Sequence, residues 1–556
     1  MSRFPALRRV ITAPGTPRAR LALAGLLGLA SAAATIGLLA GSGYVVGRAA
    51  LRPGLDALVG ILASIEVLAF LRGPLRYAER LIGHDAALRA LTQWRLWLYD
   101  CLADRVPAAF ASWRSGDLLT RAVDDVDALG DLYLRTLLPV VVAVAAAILG
   151  TVVEGLVLPV AALALGIPLA LAMIVPAALI LGRANHDSNS AALAGQLTAR
   201  VVDVIHGAPD LIAFGADGDA FEQLTHLADQ ADGADRRVAA TARAATLIVQ
   251  LCLGAALVAV LAVTVAAVHA HHLDRVMVAV LPLTVLGTFE PVPLLSAALS
   301  RALSVERSAD RLFQLGDVPV PVSDPATPAT LGSGVPAVRA DGASLRYAPD
   351  LPLVLDGVSL DLPAGASLAV TGSSGAGKSS LINSLLRFWP LESGHIEVNG
   401  GDAGRFRQSD VRALFALVDQ SAHLFGGTLR ANLTLGRPDA GEDEITAALA
   451  AAQLDEWVAG LPEGLETQVG DDGTAISGGE RRRVAVARAL IAGRDVLLLD
   501  EPGSGLDAPT ADHLLASVVA AAAERGQSLL LITHRAAEAE RCDQVVRLVQ
   551  GRIVKE

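Results

Sequence analysis

Gly372-Ser373-Ser374-Gly375-Ala376-Gly377-Lys378-Ser379-Ser380 is the stretch that decides how this chain is read. It fits the pattern G-x-x-x-x-G-K-[ST], and it directly follows the apolar run Leu368-Ala-Val-Thr371. The helix-compatible segment Ser380-Leu-Ile-Asn-Ser-Leu-Leu386 comes next. Strand, glycine loop and helix in that order make a phosphate cradle. The glycines let backbone N–H groups turn inward, and the helix N-terminus adds the positive end of its dipole. Lys378 is expected to reach the β- and γ-phosphates, and the Ser379 hydroxyl to ligate Mg²⁺. A Gly/Ser linker that happened to hold a lysine would lack these flanking periodicities. ATP and Mg²⁺ are therefore the expected cofactors.

Working outward, 556 residues are too many for one ordinary domain. Apolar residues make up 53% of the chain. The mean hydropathy is +0.49, high for a soluble enzyme and pointing to membrane spans. A net charge of −12 leaves no global basic footprint, which argues against nucleic acid as a partner. Cys101, Cys252 and Cys542 form no C-x-x-C pair and no disulfide framework.

Upstream of the glycine loop, six spans are placed at about Leu21–Val46, Leu55–Leu71, Leu137–Val153, Leu156–Leu181, Ala245–Val268 and Val276–Leu295. The uncharged run Leu21–Val46 is longer than a signal-peptide core, so it reads as a first membrane helix. A very short outer turn is expected around Glu154. Prolines 159, 168 and 176 are tolerable inside the fourth span. Arginines at 8, 9, 18 and 20 precede the first span, and two long arginine-bearing segments follow spans two and four. By the positive-inside rule the N-terminus and both segments face the cytoplasm. A turn is expected at Gly116-Asp117, and residues 316–336, rich in Pro, Gly, Ser, Thr and Ala, read as a linker. The expected layout is a membrane domain over 1–315, that linker, and a nucleotide-binding α/β domain over 337–556.

Beyond the linker, motifs accumulate in a fixed order. Val496-Leu-Leu-Leu-Asp500 is a buried-strand run ending in a carboxylate and followed at once by Glu501. Asp500 is expected to hold Mg²⁺ through water, and Glu501 to polarise the attacking water as general base. Ile476-Ser477-Gly478-Gly479-Glu480-Arg481 resembles the ABC signature motif, departing from its commoner form at Ile476 and Arg481. Gln420 matches the Q-loop glutamine, a sensor of Mg²⁺, and Ser504-Gly-Leu-Asp507 matches the D-loop. His534 matches the switch histidine, and Tyr347 stands where ABC proteins stack an aromatic ring on adenine. Each motif alone is weak; together, in this order, they identify the half as similar to the ABC ATPases. The resemblance implies that each ATP lies between the glycine loop of one nucleotide domain and the Ser-Gly-Gly of another. The chain is then expected to work as a dimer.

The resemblance sharpens at Arg76-Tyr-Ala-Glu-Arg80-Leu-Ile-Gly-His84-Asp85, continuing to Trp94-Arg-Leu-Trp97-Leu-Tyr99. This is similar to a stretch of the CydC-type subunits of ABC exporters. It implies a six-helix exporter membrane domain joined to a P-loop ABC domain, and a CydD-like half-transporter as heterodimeric partner. It also implies a bacterial inner-membrane location, a role in cytochrome bd assembly, and cysteine, glutathione or haem as the transported molecule. Arg76, Arg80 and His84 fall at i, i+4 and i+8, so they share one helix face. A neutral imidazole ligates haem iron, and paired guanidinium groups bind propionates, while an interfacial arginine belt remains the alternative. Glu66, inside span two, is expected to face the bundle interior and to contact substrate or an arginine. His269, His271 and His272 read as a polar interfacial loop rather than a metal site, because no Cys completes a ligand set. Two other classes compete: a homodimeric multidrug or lipid exporter of the same architecture, and a non-transporting ABC ATPase, which the six spans argue against.

Overall fold

The computed structural model describes residues 4–13, 15–52, 56–110, 113, 118, 121–470 and 476–554, with side chains at 56–57 and 184–192 left undescribed. The Gly116-Asp117 turn lies outside the described residues. The chain divides into two compact units, residues 1–103 with 113–318, and residues 104–112 with 319–556.

The first unit is helical. In chain order its longer helices are α1 (Pro5–Thr12), α2 (Arg18–Ala49), α3 (Asp56–Ala103), α4 (Leu138–Val157), α5 (Pro159–His206), α6 (Asp217–His269), α7 (Met277–Phe289) and α8 (Pro293–Asp317). Among the described residues, six helical stretches are long and apolar enough to cross a membrane. Their packing relies on small residues that let backbones approach closely, as expected between lipid-embedded helices. Ala161 and Leu165 of α5 meet Ala256 and Val260 of α6 and Leu281 of α7 in one buried cluster. A Cβ on Gly150 of α4 would fall 2.0 Å from the Thr288 Oγ1 of α7, so only glycine lets these two helices touch there.

Two boundaries differ from the sequence reading. The turn expected around Glu154 lies instead at Leu158, whose φ of −148° and ψ of 106° are extended. Pro159 follows it, and a residue before proline is pushed out of the α region. Glu154 itself is fully buried inside α4. The sixth span, expected to be continuous over Val276–Leu295, breaks between Phe289 and Pro293. Pro291 and Pro293 withhold two amide donors, so the helical ladder cannot run through. Pro168 and Pro176, by contrast, are accommodated inside α5.

Beyond the break, α8 is pinned to its neighbours. The Glu306 carboxylate accepts from the amides of Ala6 (2.9 Å) and Leu7 (2.7 Å), capping the positive end of α1. Arg301 pairs with Asp131, and Arg311 with the buried Asp125.

The second unit holds strands β1 (Val338–Leu345), β2 (Leu355–Leu362), β3 (Ser367–Thr371), β4 (Ser393–Val398), β5 (Gly401–Asp402), β6 (Phe415–Val418), β7 (Gly427–Thr428), β8 (Gln468–Val469), β9 (Val496–Asp500), β10 (Ser528–Thr533), β11 (Gln544–Val549) and β12 (Arg552–Val554). An antiparallel sheet runs β2-β1-β4-β5, and the main sheet runs β12-β11-β3-β10-β9-β6. All main-sheet neighbours pair in parallel except β11 with β12. Its central strands are apolar on both faces, as a covered parallel sheet requires. Leu498 and Leu530 feed one core, while Leu497, Leu499, Leu529 and Leu531 feed the other, following the two-residue period of a strand. Helices α9 (Lys378–Leu385), α10 (Gly478–Ala492) and α11 (Ala508–Glu524) cover these faces.

The segment read as a linker is held down on this unit. Gln408 donates from its side chain to Val322 O (2.8 Å) and from its amide to Asp324 Oδ1 (2.9 Å), and Ala329 N donates to Arg405 O (2.9 Å).

Candidate functional site

Parallel strands deliver ligand-binding groups at their carboxyl ends. Four adjacent strands do so here. β3 ends at Thr371 and opens into the glycine loop, β10 ends at Thr533 just before His534, β9 ends at Asp500 with Glu501 next, and β6 ends two residues before Gln420. Strand order thus gathers residues that lie more than 160 positions apart in sequence.

The glycine loop needs its glycines. Gly377 has φ of 101° and precedes α9, and a Cβ there would fall 2.7 Å from Val354 O. The buried Lys378 folds back over the loop, donating to the carbonyls of Gly372 (2.9 Å) and Ser373 (3.0 Å). Ser379 Oγ donates to Asp500 Oδ2 at 2.6 Å. The two residues expected to share Mg²⁺ are therefore in direct contact, and a hydroxyl beside a carboxylate is an oxygen pair suited to that hard cation. Burial pushes the Asp500 carboxyl above the usual range, an effect the Ser379 hydrogen bond opposes.

Glu501 stands at the centre of the group. Its φ of 49° is a left-handed conformation that non-glycine residues rarely adopt, a strain typical of functional positions. Its carboxylate lies 3.3 Å from His534 Nδ1 and 3.9 Å from Lys378 Nζ, and accepts from Gln420 Nε2 at 3.4 Å. Such a carboxylate, held by a cation and two polar side chains at the mouth of a phosphate loop, can polarise a water.

Further along α9, the Tyr347 hydroxyl is 2.7 Å from Ser380 Oγ and accepts from Asn383 Nδ2 at 3.4 Å. Its ring meets the edge of Trp389 at 5.1 Å between centroids and 86° between planes. Trp389 was not singled out from sequence, because nothing but the fold brings it to Tyr347. Ser477 caps α10 in a reciprocal pair: its hydroxyl accepts from Glu480 N (3.2 Å), and the Glu480 carboxylate accepts from Ser477 N (2.9 Å). Asp507 caps α11 through Thr510 N at 3.3 Å.

The first unit contains a cavity of about 350 Å³ lined by Arg76, Arg80 and His84. The three residues expected to share a helix face are thus brought to one hollow. His84 Nδ1 donates to Arg80 O at 2.8 Å, so the neutral form of the ring would carry its lone pair on Nε2. Sequence reasoning missed Glu79, Asp131, Arg135 and Glu290, which line the same cavity. Glu79 sits one position off the i, i+4 row, and the other three arrive from α4's approach and the break in span six. Leu134, Leu138 and Val142 give the wall an apolar side. Glu66 is exposed on α3 of this chain and is not among the residues lining this cavity. The outer turns of α3 present a lipid-like surface, with Val67 and Phe70 exposed beside it. His269 bonds back to Val265 O at 2.9 Å. Among the described residues, no group of three or more His, Cys, Asp or Glu is placed to hold a metal ion.

A family model for ABC transporters matches residues 355–504. The chain is 30% identical to the glutathione/L-cysteine transport system ATP-binding/permease protein CydC of Escherichia coli, over 96% of this chain and 94% of that one. It is 35% identical to an ATP-dependent lipid A-core flippase of Chromohalobacter salexigens, but over only 45% of this chain and 42% of that one. The solved structure of a bacterial Atm1-family ABC exporter with ATP bound superposes with a TM-score of 0.83 at 24% identity, covering 97% of this chain and 94% of that one. Full-length identity to CydC, six apolar helices and the assembled nucleotide site converge: this chain is a multi-pass membrane protein of the CydC family of ABC transporter subunits.

Proposed function

We propose that this chain is one half of a heterodimeric ATP-driven exporter in the bacterial inner membrane, paired with a CydD-like subunit and supporting cytochrome bd assembly. Its N-terminus and nucleotide-binding domain face the cytoplasm, the side marked by the arginine-rich segments. In the nucleotide site Tyr347 stacks on adenine, the Gly372–Ser380 loop cradles the phosphates, and Ser379, Gln420 and Asp500 hold Mg²⁺. The ion, when bound, neutralises charge on the phosphates. Glu501 orients and deprotonates the attacking water, with His534 fixing its carboxylate. Ser477, Gly478, Gly479 and Glu480 meet the ATP of the partner, and Asp507 lies in the adjoining D-loop.

The cargo is cysteine or glutathione, or else haem, and it enters the cavity beside Arg76, Arg80 and His84. The name of the Escherichia coli relative supports the thiol reading. One observation favours haem: a lone-pair imidazole nitrogen and three arginines line a hollow with an apolar wall. Haemin titrated into the purified two-chain complex separates the readings. A Soret shift that His84→Ala abolishes supports haem. ATPase stimulation by glutathione without any Soret shift sinks it. Copurification with a second, different ABC chain tests the pairing, and an active complex of this chain alone would favour a homodimeric multidrug or lipid exporter.

A further inference from the structure

We propose that Glu290 is an internal counter-ion that the cargo must displace from Arg76, so that cargo binding is registered at the break in the last membrane helix. The proposal rests on the cavity being the cargo site. Glu290 is the first residue of the turn between α7 and α8. Its Oε1 accepts from Arg72 Nη2 at 2.7 Å and lies 3.6 Å from Arg76 Nη1. Arg76 and Glu290 both line the cavity, whereas Arg72 does not. One carboxylate thus spans a cavity arginine and an arginine outside it, from the turn where the helix of span six breaks.

All three side chains are at least 36% exposed. Ion pairs this open to water are weak and exchange readily. Both cargo classes carry carboxylates, and a guanidinium binds an incoming carboxylate in two-point fashion, better than it holds a distant one. At 3.6 Å the Arg76 contact is the looser of Glu290's two. Cargo therefore takes Arg76, and Glu290 retreats to Arg72. The retreat moves a side chain rooted in the 290–292 turn, beside Pro291 and Pro293, which donate no amide bond. Arg72 acts by drawing Glu290 away, and Glu290 by contesting Arg76 with the cargo.

The test uses the full-length chain with its partner half-transporter in lipid nanodiscs. The probes are haemin, read by the Soret band, and reduced glutathione, read by the midpoint of ATPase stimulation. For whichever probe the wild type answers, Glu290→Gln lowers the midpoint by about 1.5- to 5-fold, the range set by an exposed ion pair. Arg72→Gln raises it, because Glu290 then rests wholly on Arg76. The double variant behaves as Glu290→Gln alone, since Arg72 acts only through Glu290. A Glu290→Gln midpoint that is unchanged or raised overturns the proposal. So does an Arg72→Gln effect that persists undiminished in the double variant, the mark of a simple long-range field. If Glu290→Gln does not reach the membrane, Arg72→Gln must still raise the midpoint while Arg72→Lys stays near wild type; equal shifts in both overturn it. A wild type that answers neither probe overturns the cargo reading of the cavity itself, a result distinct from those above.

Discussion

Trp389 offers a direct way to test how the proposed adenine platform, Tyr347, is held. Tyr347 has three supports: a hydroxyl contact to Ser380 at 2.7 Å, a longer one from Asn383 at 3.4 Å, and the edge of Trp389 at 5.1 Å. The ring itself remains 36% exposed, so the aromatic contact is its only firm lateral constraint among these. An edge-to-face pair contributes about 0.5–1.5 kcal/mol beyond area burial. If all of that is transmitted to ATP binding, Trp389→Leu raises the KM for ATP by about 2- to 12-fold. kcat should stay near wild type, because neither Tyr347 nor Trp389 is among the groups holding Glu501, which are His534, Lys378 and Gln420. The assay is ATPase activity of the reconstituted complex over a range of ATP concentrations, with Trp389→Phe as the conservative variant expected to restore most of the affinity. A KM that does not move, or a fall in kcat at constant KM, would refute the reasoning. Because Trp389 also packs against the domain core, thermal unfolding is measured in parallel. A large drop in Tm for Trp389→Phe would show that the effect is one of stability.

Three further outcomes follow from particular contacts. Gly377→Ala places a Cβ 2.7 Å from a backbone oxygen at a left-handed φ, so it should abolish ATP binding in a nucleotide-analogue assay while leaving the membrane unit folded. Asp543 accepts from both the amide and the hydroxyl of Ser367 at the start of β3, which holds its carboxyl below the usual range. Its stabilising effect is present above the ordinary aspartate range and lost as pH falls through the lowered value. Asp543→Asn should therefore lower Tm at neutral pH, with the gap closing on acidification. Glu501→Gln should trap an ATP-bound closed dimer if the glycine-loop site on this chain hydrolyses ATP, read as retained nucleotide after gel filtration; unchanged turnover would assign hydrolysis to the partner's site.

The nucleotide half was legible because its chemistry is local in sequence. Each strand end carries its functional residue within two positions, as Asp500 and His534 do, and parallel pairing then needs no further information to bring them together. The membrane half was legible in number and in rough position, since apolar runs define spans directly. It failed where two signals competed. Glu154 looked like a turn because a charge usually marks a membrane boundary, yet Pro159 sets the break and the carboxyl is buried. Periodicity along α3 placed Arg76, Arg80 and His84 together, but Arg135 and Glu290 could not be found that way. They come from segments flanking helices whose rotation about their own axes depends on packing, through contacts such as Gly150 against Thr288. The segment expected as a linker over 316–336 begins inside α8, which runs to Asp317, and its attachment depends on Gln408 and Arg405, which no local pattern connects to it.

The reciprocal cap at the start of α10 has a consequence for timing. Because Ser477 and Glu480 already hold each other, the backbone of Gly478 and Gly479 is ordered before anything docks against it. A Cβ on Gly478 would meet nothing within 4 Å on this chain, so the absence of a side chain there serves no internal packing need. On the pairing proposed above, a partner's phosphate would meet a surface whose freedom has already been surrendered during folding, and little entropy would be lost in orienting it.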